Sequence, residues 1–299
     1  MLLKGSAKFG FRKTEAVTRP FARRCLCVVL LLVLSIAWTA ISALAANSKL
    51  TESEIRSALQ NKVFTLRQPY AADRLRFDQN GTLQGNNFVG PWTLDAVVEI
   101  TKVSSKHGSL EIVGNRLYVS YSGLQANYAR SKRRITMVIP WNAAAPDALQ
   151  DTLARIFLTN TQTLADCAPD YWKPYLTDHA EALKQLAQKA HDSSTHTVLL
   201  YRQNVYVVGS GVIPPRGTST PDPKYSAEAR SAKVEGTVVL LIVVNEAGKA
   251  VDPFILHPVG MGLDDQAVET VRKWQFNPAI FQSKPVPVLI NVEVNFRLY

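Results

Sequence analysis

The chain has 299 residues, 46% of them apolar, and a formal charge of +10. That length fits about two domains, and the composition is that of a globular protein. Residues 1–24 hold seven Lys or Arg against one Glu, leaving only +4 for the rest, so the charge gives no ground for a nucleic-acid-binding protein.

After this basic tail (1–24), no residue from Cys25 to Ala46 is charged. At ~1.5 Å per residue such a stretch just crosses a hydrocarbon core ~30 Å thick. Its basic flank keeps the N-terminus on the cytoplasmic side. Ala43-Leu44-Ala45 is also a site of the kind signal peptidase cuts. Segment 25–46 is therefore either a transmembrane anchor or a signal peptide cleaved near Ala45, and in both cases residues 47–299 are exported. Cys167 has no exported cysteine to pair with and reads as a buried thiol.

Residues 47–208 read as a β-rich domain of unknown function with two helices near 147–190. Thr51 with Glu54 makes a capping box for a short helix over 51–60. Strands are predicted over 63–66, 92–94, 97–103, 109–113, 117–121 and 135–139. Leu75–Leu83 reads as a hairpin turning at Asn80-Gly81. Helical spacing marks 147–158 and 178–190, and 196–208 returns to strand. The run Arg130–Arg134 reads as a solvated loop, with docking to acidic partners or lipid head groups as the alternative. Tyr171–Tyr175 reads as aromatic packing around Pro174.

Pro214, Pro215, Pro221 and Pro223 make 209–223 a Pro-rich, extended linker. Beyond it, 224–299 reads α-β-β-α-β. A short helix covers 225–230 and a strand 235–244. A turn at Asn245–Gly248 leads to a returning strand over 251–257. Leu263, Ala267, Val271 and Trp274 mark the apolar face of the next helix. Asp264 and Asp265 suit its positive end, and Pro278 stops it. In the last strand, Val286 to Tyr299, the even-numbered positions Val286 to Leu298 are apolar. Most of the odd-numbered ones are polar, including Asn291, Glu293, Asn295 and Arg297. The fold class is α+β: a three-stranded antiparallel sheet with one main helix, preceded by the β-rich domain and the hydrophobic signal or anchor segment.

No catalytic chemistry emerges. The five histidines are scattered, and no H-x-x-x-H or C-x-x-C pair offers a metal site. Gly209-Ser210-Gly211 opens like a dinucleotide loop but meets Pro214 where a helix would begin. There is no G-x-S-x-G. The reading is of a non-enzyme without cofactor.

Several separated motifs resemble one family in one order. They are Pro223-Lys224-Tyr225 with Ser226 to Arg230, Glu235-Gly236-Thr237-Val238, Gly248, Gly262-Leu263-Asp264, Ala267-Val268, Trp274-Gln275-Phe276-Asn277-Pro278, Lys284-Pro285-Val286 and the terminal strand. Together they resemble the TonB C-terminal domain over about 214–299. That resemblance implies a periplasmic protein that docks the box peptide of an outer-membrane TonB-dependent transporter by strand addition, driven by inner-membrane motor proteins that use the proton gradient. It leaves a homodimer open. It implies Asp222, Pro223, Lys224 and Tyr225 as partner contacts, joined by Asn291, Glu293, Asn295 and Arg297 on the last strand. Three departures stand out. Asp222 replaces the frequent Gln, residues 25–46 lack the His that energy-coupling members carry, and the Pro-rich spacer is short. The alternative is an unenergised periplasmic binding or scaffold protein that uses the domain only for assembly.

Overall fold

A computed structural model describes residues 51–122, 125–159, 162–177, 197–200, 203–209 and 211–298, with backbone alone for 197–200 and 203. The basic tail, segment 25–46 and the helix expected over 178–190 lie outside the described residues. Among those described, no helix is long and apolar enough to cross a membrane.

α1 (Glu52–Leu59) starts where the Thr51 hydroxyl accepts from Glu54 N–H and the Glu54 carboxylate accepts from Thr51 N–H, the reciprocal cap predicted. It buries Ile55, Ala58 and Leu59. Next comes a six-stranded sheet, built from β1 (Val63–Thr65), β2 (Arg74–Phe77), β3 (Leu83–Gln84), β4 (Val97–Lys106), β5 (Ser109–Ser122) and β6 (Gln125–Pro140). Its spatial order is β1-β4-β5-β6-β2-β3. β2 and β3 form the hairpin predicted at Asn80-Gly81, with Gly81 at φ 72°.

Three local expectations change. Trp92–Leu94 is not a strand but the start of α2 (Trp92–Asp95), entered from Pro91, with Trp92, Thr93 and Leu94 all buried rather than alternating. The strands expected over 109–113 and 117–121 are one, β5, bulged between Asn115 and Leu117, with Arg116 turned fully inward. Arg130–Arg134 lies within β6 and is not a loop. α3 (Pro146–Ile156) then packs Leu149, Leu153 and Ile156 with α1 over one face of the sheet. Two 3-10 turns (Leu164–Asp166, Asp170–Trp172) and α4 (Lys173–Leu176) complete this half.

The second sheet holds β7 (Thr197–Leu200), β8 (Gln203–Val207), β10 (Gly236–Val244), β11 (Ala250–His257) and β15 (Val288–Phe296), in the order β11-β10-β15-β8-β7. The antiparallel trio read from the sequence, β11-β10-β15, is its core. The sheet nevertheless has five strands rather than three. β8 and β7, which precede the prolines, join it because Val205 and Val207 bury against Leu241, Val243 and Leu289. Within the Pro-rich segment, β9 (Arg216–Ser219) pairs with β12 (Gln275–Asn277). β13 (Ala279–Phe281) and β14 (Lys284–Val286) make a small hairpin before Pro287 breaks the run into β15. Helix α5 (Ala227–Ser231) precedes β10. α6 (Leu263–Val271) buries Leu263, Ala267 and Val271 against the sheet, and Trp274 lies just past its end. At the β10–β11 turn a Cβ on Gly248 would meet the Phe276 carbonyl oxygen at 1.9 Å, so only glycine fits.

The two sheets share one core. Trp92, Leu94, Leu117, Val119 and Trp172 pack with Val238, Leu240, Ile255, Leu263 and Phe296. Main-chain bonds cross the seam: Tyr121 N–H to Val259 O and Met261 N–H to Val119 O, each 2.8 Å. The Gly262 N–H adds a bond to the Thr93 hydroxyl at 2.9 Å.

Candidate partner-binding edge

The geometry of β15 arises from its alternation. Val288, Val292, Val294 and Phe296 are buried against α6 and the shared core, whereas Asn291, Glu293 and Asn295 are exposed. One side of β15 pairs with β10 without interruption, from Gly236 opposite Phe296 to Val244 opposite Val288. The other side meets β8 only at Val288 and Leu289. From Ile290 to Phe296 no described strand lies on that side.

The direction of the free groups can be worked out. Tyr206 N–H donates to Pro287 O at 2.8 Å, so the Pro287 carbonyl faces the β8 side. Main-chain groups alternate with the side-chain period of two. The N–H and C=O of Asn291, Glu293 and Asn295 therefore face the open side, and those of Ile290, Val292 and Val294 face β10. Such a row accepts an added strand. The opposite rim of the sheet does not. β11 carries Pro253, which has no N–H to give, and Asp170–Leu176 packs against that strand.

Of the predicted contact residues, the structure brings Tyr225 to the far end of this edge. Its ring stands edge-on to Phe296 at 5.5 Å, and its hydroxyl donates to Val234 O at 3.3 Å. Neighbouring bonds fix the segment. Trp274 Nε1 donates to Pro221 O at 3.1 Å, and the Ser226 hydroxyl donates to Met261 O at 2.7 Å while accepting from Ala229 N–H. Asp222 and Lys224 are exposed and Pro223 half-buried. On the strand, the Asn295 side chain accepts from the Thr237 hydroxyl at 2.7 Å, so it is already engaged across to β10. Asn291, Glu293 and Arg297 are exposed. Asn291 lies six residues from Arg297, roughly 20 Å along a strand, so the set reads as a line and not a pocket.

The sequence did not reveal the charged contacts at the seam between the two sheets. The loop from Val259 to Gly262 is gripped by Asp264, whose two carboxylate oxygens accept from Val259 N–H and Gly260 N–H at 2.8 Å each. Burial pushes Asp264 up to about 7, against the pull of those two donors. Asp265 accepts from the Tyr171 hydroxyl at 2.5 Å while its other oxygen is buried without a partner. Burial pushes it up to about 6. Arg133, inside the basic run, reaches Asp95 at 2.9 Å, Asp73 at 3.4 Å and Glu228 of α5 at 3.8 Å. The signal available was the paired acid beside Val259-Gly260-Met261-Gly262. Among the described residues no group of three or more His, Cys, Asp or Glu side chains could hold a metal ion.

Comparison with known proteins falls on this half of the chain. Residues 221–298 match the family described as Gram-negative bacterial TonB protein C-terminal. Over 77 residues the chain is 32% identical to Protein TonB of Vibrio cholerae serotype O1, a match covering 25% of this chain and 32% of that protein. The chain therefore spans about a third of that relative's length. A solution NMR structure of the Pseudomonas aeruginosa TonB C-terminal domain is similar at 22% identity and a TM-score of 0.26, over 30% of this chain and 90% of its own.

Proposed function

We propose, from the match of residues 221–298 to the TonB protein C-terminal family, that this protein works in the periplasm of a Gram-negative envelope and docks outer-membrane transporters by strand addition. The observation that carries this reading is the free rim of β15 from Ile290 to Phe296. The box segment of a TonB-dependent transporter adds there. Main-chain bonds to Asn291, Glu293 and Asn295 supply affinity, and their side chains with Arg297, Asp222, Pro223, Lys224 and Tyr225 supply selection. In the energised form of this reading, segment 25–46 anchors the chain beside inner-membrane motor proteins that draw on the proton gradient. Calorimetric titration of the full chain with synthetic box segments from the source organism's transporters is the test. Micromolar binding is expected, and silence from all of them overturns the proposal.

A second reading has its own support. The domain does not hang on a long free spacer, because β9 in the Pro-rich segment pairs with β12 and the two sheets share a core. That suits an unenergised binding or scaffold protein. Mass spectrometry of the mature N-terminus separates the two: a chain beginning after Ala45 has no anchor to a motor.

A further inference from the structure

The free rim of β15 begins where a strand of the same chain ends. β8 runs parallel to β15, with Tyr206 opposite Val288 and Val207 opposite Leu289. Its residues fit both faces of the sheet. Val205 and Val207 are buried with Leu241, Val243 and Leu289 on one face. On the other, the Tyr206 ring lies 5.2 Å from Phe281. The chain then turns off the edge. Gly209 has φ 130°, Val212 N–H donates to Gly209 O at 2.9 Å, and Ile213 pairs with Ile280. β8 thus holds the rim at two positions, whereas β10 holds the opposite side along the whole strand. So short a contact opens far more easily than the core strands.

We propose that β8 is an internal guest: it occupies the partner-binding rim of β15, and a partner strand that uses the whole rim must displace it. This rests on the strand-addition reading and deepens it by naming the partner's pattern. The displacing segment carries two apolar, preferably β-branched, residues at alternate positions, where Val205 and Val207 now sit, and an aromatic or bulky residue between them in the place of Tyr206. A segment without that pattern is confined to Ile290–Phe296, roughly 23 Å of strand.

Hydrogen exchange on the full chain tests the opening with no guest present. The Tyr206 amide, bonded to Pro287 O, should exchange at least 100-fold faster than the Leu240 and Ile242 amides. Exchange at the same rate as those two overturns the proposal. The second arm uses Val207→Cys with Leu289→Cys in a background where Cys25, Cys27 and Cys167 are all changed to Ser, since residues in register sit within disulfide reach. The probe is a labelled peptide of this chain's own sequence from Gln203 to Gly209. It should bind the reduced variant at least tenfold more tightly than the oxidised one. A version with Asn at both positions equivalent to Val205 and Val207 should lose that binding. Equal binding to both forms, or binding to neither, overturns the proposal. If Tyr206 opens and the lock excludes the probe, yet no transporter segment binds, β8 remains an internal guest and the transporter reading is what falls.

Discussion

Asp264 and Asp265 open a helix, where a carboxylate is expected to be comfortable, yet at the seam between the two sheets Asp264 is fully buried and Asp265 half-buried. Burial raises both, to about 7 and about 6, so the folded state prefers them protonated. A raised carboxylate stabilises the fold fully below its unfolded value of ~4 and loses that contribution as pH climbs through the folded value. The thermal midpoint should therefore fall as pH rises from 5 to 8. Asp265→Asn keeps an acceptor for the Tyr171 hydroxyl and removes the charge. We expect it to raise stability at pH 8 by ~1–3 kcal/mol and to have little effect at pH 5, as read by scanning calorimetry. An equal loss at both pH values would contradict the assignment. Arg116 makes the opposite case. Fully buried, it donates to the Asp95, Tyr70 and Ala72 carbonyls and pairs with the Asp95 carboxylate at 3.4 Å. Arg116→Ala leaves those acceptors dry and should cost ~3–5 kcal/mol in urea unfolding.

At the scale of elements, β15 is the strand the sequence described best. Its alternation is visible residue by residue, and the structure buries Val292, Val294 and Phe296 while exposing Asn291, Glu293 and Asn295. Which side of the strand stays free was not visible, because main-chain direction depends on the partner strand and not on side-chain type. Proline scanning tests it. Glu293 directs its N–H to the open side, so Glu293→Pro should leave the β10 ladder and the thermal midpoint nearly unchanged while weakening a bound strand at least tenfold. Val292→Pro should unfold the domain. If Glu293→Pro is as damaging as Val292→Pro, the free rim is on the wrong side. The same logic explains Trp92–Leu94, which reads as strand from its residue types. Pro91 and full burial make it a helical turn instead, a choice tertiary packing makes against weak local propensity.

Across the whole molecule, the shared core matters most. Trp92 and Trp172 pack in the same cluster as Val238, Leu263 and Phe296, while Trp274 reports on the end of α6. Gly260, at φ +92°, brings its backbone so close to β5 that a Cβ would sit 2.3 Å from Val119 O. Urea unfolding monitored by tryptophan fluorescence and by far-UV circular dichroism should therefore give one coincident transition. Gly260→Ala should split it in two or lower its midpoint sharply. Two well-separated transitions in the unmodified chain would show that the seam does not couple the sheets.

The amino-acid order by itself determined the local grammar of this protein: the Thr51 cap, the Asn80-Gly81 and Asn245–Gly248 turns, the amphipathic α6, the two-faced last strand and the match of residues 221–298 to the TonB C-terminal family. All of these depend on residues within a few positions of one another or on fixed motif spacing. Tertiary structure decided that β8 crosses the prolines to join β15, that Arg133 and the Asp264–Asp265 pair are drawn into the seam, and that among the described residues no strand pairs with the rest of the β15 rim. The β8–β15 pairing, the Arg133–Glu228 contact and the Tyr171–Asp265 bond each join residues about 80 or more apart in the chain, while the burial of Asp264 and the open rim depend on packing and main-chain direction, none of which leaves a periodic trace in the sequence.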